Sequence, residues 1–117
     1  MSEKPTHFTI REWSKDDRPR EKMLEKGAQS LSNAELLALL IGSGNQGESA
    51  VHLMQHLLAS VDNNMVKLHG IALEKLMDWK GIGPAKAVKI KVALEIGKRI
   101  QLETSKEQLQ CTQSKDV

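Results

Sequence analysis

The fold is decided by residues 76–90, which read LMDWKGIGPAKAVKI. Apolar residues at helical spacing stand on both sides of the Gly81-Ile82-Gly83 run, and Pro84 is typical of the first turn of a helix. The stretch therefore predicts two helices joined by a tight turn. We expect both glycines to adopt positive φ, which lets the backbone approach another surface closely. Amides of the turn would point outward at the start of the next helix, where an anion is favoured.

Positive charge is concentrated on this same stretch. Residues 80–99 hold six Lys or Arg residues and one Glu, which leaves +5, although the whole chain carries only +2. Glycine turns with local positive charge are typical of helix-hairpin-helix elements, which bind phosphate without reading sequence. The alternative is a compact helix connector whose glycines serve packing only. We expect Ile82 to be buried, and the candidate nucleic-acid-binding residues are Lys80, Gly81, Ile82, Gly83, Lys86 and Lys89.

Caps and apolar spacing predict further helices along the chain. Ser32 and Glu35 have capping-box spacing at the start of a Leu-rich helix, which is apolar nearly all round and is expected to be central to the core. An apolar residue recurs on one face between residues 50 and 61, which indicates an amphipathic helix. The predicted helices cover residues 19–26 after an Asp17 cap, 32–41, 48–60, 65–70, 73–79 and 84–102.

These elements predict an all-α domain of five to six short helices, resembling a double helix-hairpin-helix fold. Gly42-Ser43-Gly44 repeats the spacing of Gly81-Ile82-Gly83 at an offset of 39 residues. The repeat is either a degenerate second hairpin or a chance match. We expect three regions: an irregular N-terminal segment at 1–17, the helical domain at 18–102, and a polar tail or linker at 103–117.

Taken together, the motifs resemble the N-terminal domain of RadC-like proteins. The resemblance rests on RPREK at 18–22, LSNAELL at 31–37, KGIGPAKA at 80–87 and ALEIGKR at 93–99, in the order of the family. It covers about residues 10–100, far more than a lone glycine turn. The resemblance implies an association with DNA repair. It also implies a second domain, of the metalloprotease-like JAB/MPN type, which would be absent from a fragment ending at Val117.

The expected function is therefore a weak, non-sequence-specific DNA-binding module that delivers a linked catalytic domain to its substrate. The alternative is a protein-interaction or structural domain that docks on the absent JAB/MPN domain. We expect no enzymatic activity from this fragment, because no nucleophile has a visible base and orienting group. Whether the full-length protein is a metal-dependent hydrolase stays open, as do the oligomeric state and the preferred DNA structure.

Other residues carry little chemistry. His52 and His56 stand four residues apart, with Glu48 one turn earlier, and could ligate a metal. They fall on the polar face of their helix, so a solvated face is favoured and no metal or cofactor is expected. The single cysteine, Cys111, excludes an internal disulfide framework. The sequence has no stretch typical of a membrane span or a signal peptide, and a cytoplasmic protein is expected.

Overall fold

A computed structural model describes residues 18–45 and 47–115, with only the backbone for residues 110–115. This part of the chain forms six α-helices, and its one extended pairing is an isolated bridge between Asn45 and Glu48. The predicted all-α fold is therefore confirmed. The segment at 1–17, including the Asp17 cap, lies outside the described residues. The helices are α1 (Arg18–Lys26), α2 (Asn33–Ile41), α3 (Ala50–Ala59), α4 (Met65–His69), α5 (Leu73–Met77) and α6 (Pro84–Lys115).

The start of α2 carries the predicted capping box. The Glu35 backbone N–H donates to Ser32 Oγ at 3.1 Å, and the Ser32 N–H donates to Glu35 Oε1 at 2.8 Å. Lys22 of α1 reaches the same carboxylate at 3.2 Å. Partial burial raises the pKa of Glu35, but the bonds from Ser32 and Lys22 outweigh it and leave the pKa below its ordinary value. Glu35 thus serves both as a capping residue of α2 and as the partner of Lys22, which links α1 to α2.

The core lies where α2, α3 and α6 meet. Every residue of the predicted α3 stripe is buried, which confirms its register. The Leu-rich α2 is central to the core, as expected, but it buries only one face, because Leu36 on its other side is exposed. From α6 only the first turns reach the centre, through Ala87 and Ile90. The α3 residues in the core are Ala50, Leu53, Met54, Leu57, Leu58, with Val61 just after the helix.

Helix α6 continues to Lys115, so the prediction that it ends near Leu102 is wrong. Residues 103–110 are polar but rich in Glu, Gln and Lys, which are good helix formers, and no Gly or Pro interrupts them. Leu94 is the last residue of α6 that packs on the core. Beyond it, α6 still borders Met65 and Val66 of α4 as far as Leu102. Within the described residues, no helix combines the length and apolar character needed to cross a membrane.

A lysine of α6 also fixes the short helix α4. Lys91 Nζ donates to the carbonyl oxygens of His69 at 2.5 Å and Ile71 at 2.8 Å. These carbonyls lie at the C-terminal end of α4, where a positive charge is stabilising. His69 also contacts Glu95 at 3.2 Å, and hydrogen bonds from His69 and then Arg99 lower the pKa of Glu95.

Candidate nucleic-acid interface

We call residues 42–44 the first glycine turn and residues 81–83 the second glycine turn. In the second glycine turn Gly81 has φ of 96° and Ile82 is buried at 2% exposure, as predicted. Gly83 does not have positive φ, so the prediction that both glycines adopt it is wrong. Pro84 favours extended backbone at the residue before it, and a glycine can adopt that backbone with either sign of φ, so the Gly-Ile-Gly spacing does not require positive φ at both glycines.

The two glycines of this turn also differ in the space around them. A Cβ at Gly81 would lie 2.8 Å from Asn45 Cβ and 3.2 Å from Leu53 Cδ2, which is too close for a side chain. A Cβ at Gly83 would have no atom within 4 Å among the described residues. Gly81 therefore serves packing, whereas Gly83 leaves an open surface over the backbone.

The backbone donors of the second glycine turn are partly used inside the protein. The Ile82 N–H donates to the Trp79 carbonyl at 3.0 Å, so it is not free for a ligand. The Gly81 and Gly83 amides have no acceptor in the described part of the chain. The first helical bond of α6 runs from Ala87 N to Gly83 O, and the earlier amides of Ala85 and Lys86 are unpaired there. Three free amides thus lie at the start of α6, those of Gly83, Ala85 and Lys86, and Pro84 between the first two has no N–H.

The candidate lysines fall into two groups. Lys86 Nζ donates to the carbonyl oxygens of Ser43 at 2.7 Å and Gly44 at 3.2 Å, so its charge is held on the first glycine turn. Lys80 and Lys89 are exposed, and neither has a side-chain partner among the described residues. The structure thus separates a lysine that joins the two turns from two lysines that face solvent.

Asn45 provides a second link between the turns. Its Nδ2 donates to the Lys80 carbonyl at 3.2 Å, and its backbone pairs with Glu48. Sequence reasoning missed this residue, although an Asn within a glycine-rich loop is a common signal for side-chain to backbone bonds. Asn45 bonds to a residue 35 positions away in the chain, and Lys86 bonds to one 43 positions away. These two links join the first and second glycine turns into one surface.

The histidines considered as metal ligands are arranged differently from a metal site. His56 Nδ1 lies 3.0 Å from Glu48 Oε2, whereas His52 is an exposed residue near the start of α3. Among the side chains that the structure describes, those of residues 18–45 and 47–109, no three His, Cys, Asp or Glu residues converge closely enough to hold a metal ion. The pair of His56 and Glu48 is a surface contact.

Comparison with known proteins identifies relatives of this chain. A family model described as UPF0758 N-terminal matches residues 10–88. A UPF0758 protein of Flavobacterium johnsoniae is 50% identical over 112 residues, which cover 96% of this chain and 48% of the relative. A UPF0758 protein of Porphyromonas gingivalis is 46% identical over 94 residues, 80% of this chain and 41% of the relative. The chain therefore spans about half the length of these curated relatives. No solved structure matches.

Proposed function

Because this chain belongs to the UPF0758 family of RadC-like proteins, we propose that it is a DNA-binding module that holds phosphate without reading sequence. The second glycine turn would bind one phosphate of the DNA backbone. The observation that carries the proposal is the open backbone at Gly83, directly before the free amides of α6. In this setting the helix dipole and the amides favour the same anion.

The distribution of charge supports the same site. Lys80 lies immediately before the second glycine turn and Lys89 lies about one and a half helical turns after its end, and both are exposed. Each would neutralise phosphate charge and release counterions, so affinity would fall with salt. Lys86 would act differently from the expectation, because it positions the second glycine turn through the first instead of contacting DNA with its ammonium group.

The family resemblance extends this proposal to the longer relatives. In them the module would bring a JAB/MPN domain to DNA during repair in the cytoplasm, and any metal-dependent hydrolysis would reside in that second domain. The alternative is a structural or protein-binding role. It is favoured by the internal use of the Ile82 amide and the Lys86 ammonium, which both serve packing.

The decisive experiment uses Gly83→Ala and fluorescence anisotropy with labelled duplex, single-stranded and branched DNA. The added methyl group meets no protein atom but covers the backbone that phosphate would approach. We expect wild-type affinity to fall with salt at a log–log slope of about −0.9 per neutralised phosphate on duplex. Gly83→Ala should weaken binding about tenfold while leaving the urea midpoint unchanged.

Lysine variants provide the matched control. Lys80→Ala and Lys89→Ala should weaken binding to all sequences alike and reduce the salt slope by up to about one unit each. Lys106→Ala removes an exposed lysine from the far part of α6 and should leave affinity nearly unchanged. If wild-type protein binds no DNA form at low salt, the proposal is wrong and the second glycine turn is a packing element.

A further inference from the structure

Helix α6 carries a line of exposed apolar side chains that contributes nothing to the core of its own chain. Val88, Val92, Ile96 and Ile100 recur every four residues and are 46–59% exposed. They lie on the side of the helix away from the buried Ile90. We call these four residues the α6 stripe. Isolated exposed apolar residues are ordinary, but a continuous line of four indicates a contact surface.

Three of the four stripe residues border a groove, and the fourth projects into solvent. Helix α2 places Leu40 beside Val88, Val92 and Ile96, and together with Ala93 and Lys89 they line a largely apolar groove of about 220 Å³. Ile100 lies one helical turn beyond this groove and is 59% exposed. The surface is thus a groove that continues into a projecting ridge at Ile100.

We propose that the occupant of this surface is a second copy of the chain, with its α6 antiparallel to the first and the two-fold axis at Ile96. Such a pairing is self-complementary, as a two-fold interface must be. Ile96 meets Ile96 of the partner subunit, and Val92 meets Ile100 of the partner subunit. The projecting ridge of each copy fills the groove between α2 and α6 of the other copy.

Charge at the ends of the stripe selects the antiparallel direction. Lys89 lies seven residues before Ile96 and Glu103 seven residues after it, about two helical turns in each direction. Both are exposed, and neither has a side-chain partner in the described part of the chain. Antiparallel pairing sets Lys89 against Glu103 of the partner subunit, twice, so that in the paired chain Lys80 would be the exposed lysine left for phosphate. Parallel pairing would set lysine against lysine, which is repulsive.

Sedimentation velocity on the full chain, without nucleic acid, tests the pairing. Between about 1 and 200 μM the wild type should show a dimer that dissociates on dilution. Ile96→Glu places two carboxylates against each other on the axis and should raise the dissociation constant at least about 100-fold. Leu24→Glu is the matched control, because it changes an apolar residue of α1 that is 76% exposed and off the stripe. It should leave the dimer intact.

Exchanging the charges of Lys89 and Glu103 tests whether the two copies of α6 pair in the antiparallel direction. Lys89→Glu or Glu103→Lys alone should raise the dissociation constant about fivefold or more, since two ion pairs become two like-charge pairs. The double variant Lys89→Glu/Glu103→Lys restores opposite charges and should return the constant to within about twofold of wild type. Circular dichroism checks that each variant is folded.

Three results would overturn the proposal. The first is a wild-type chain that stays monomeric up to about 200 μM, which would leave the stripe for another occupant such as the additional half of the longer relatives. The second is a dimer unaffected by Ile96→Glu. The third is a double charge variant no better than the single variants, which would exclude the antiparallel pairing.

Discussion

The two glycine turns share the spacing of their glycines but have opposite surroundings. Each begins with a glycine of positive φ, at 84° for Gly42 and 96° for Gly81. In the first turn Gly42 is open, whereas a Cβ at Gly44 would overlap the Glu48 carbonyl oxygen. In the second turn the order is reversed, because Gly81 is enclosed and Gly83 is open.

This reversal indicates different tasks for the two turns. The middle residue of the first turn, Ser43, is exposed, and its carbonyl oxygen accepts a hydrogen bond from Lys86. The middle residue of the second turn, Ile82, is buried. The first turn therefore supports the second and offers acceptors, whereas the second offers donors at the start of a long helix. A spacing match in sequence is thus compatible with two different functions.

The largest effect should come from the core residue beneath the second turn. Leu53 is 1% exposed and lies against Gly81. Leu53→Ala should lower the free energy of unfolding by about 2–5 kcal/mol because it leaves a cavity. Leu24→Ala on the exposed face of α1 should cost less than about 0.5 kcal/mol. Urea denaturation of both variants checks this, and a loss under about 1 kcal/mol for Leu53 would contradict the packing described.

The next largest effect should be the difference in stability between alanine variants of the two glycines in the second turn. Gly81→Ala should cost about 2–4 kcal/mol, because it combines a positive φ with a contact on Asn45. Gly83→Ala should change the free energy of unfolding by less than about 0.5 kcal/mol. Equal losses in the two variants, measured by urea denaturation, would remove the distinction between an enclosed and an open glycine.

The link between the turns should have a moderate effect. Lys86→Met keeps the apolar stem but removes the bonds to the Ser43 and Gly44 carbonyls. It should lower the free energy of unfolding by about 1–2 kcal/mol, towards the lower end of the range for hydrogen bonds to charged groups, because Lys86 is only half-buried. Lys106→Met is the control and should be neutral. Unchanged stability for Lys86→Met would mean that the first turn does not support the second.

The smallest effect concerns α2, the helix that leads into the first turn. The pKa of Glu35 in the folded protein is below its ordinary value of 4.5. Its carboxylate therefore stabilises the fold above that ordinary value, and the contribution is lost as pH falls through the lowered pKa. Glu35→Gln should be less stable than wild type at pH 7, and the difference should vanish in acid. Urea midpoints from pH 7 to 3 measure it, and a constant difference would contradict the assignment.

Local signals allowed much of the fold to be predicted. The Ser32 and Glu35 cap and the α3 stripe depend on residues within one or two turns, so their spacing is sufficient. The contact between Lys86 and Ser43 spans 43 residues, and no periodicity encodes it. The sign of φ at Gly83 could not be predicted from the sequence, because a glycine adopts extended backbone with either sign of φ. Polar composition alone does not indicate where α6 ends, because Glu, Gln and Lys are good helix formers and no Gly or Pro interrupts residues 103–110.

The length of α6 sets the distance between the two second glycine turns of the proposed antiparallel pair. Pro84 begins this helix twelve residues before Ile96, so in the proposed antiparallel pair the two Pro84 positions lie about 36 Å apart along the axes, at about 1.5 Å per residue. Each Pro84 directly follows a second glycine turn. One turn of B-form DNA advances about 34–36 Å. The paired domain would therefore hold two phosphate-binding ends one helical repeat apart, and duplexes shorter than about one repeat would engage only one end.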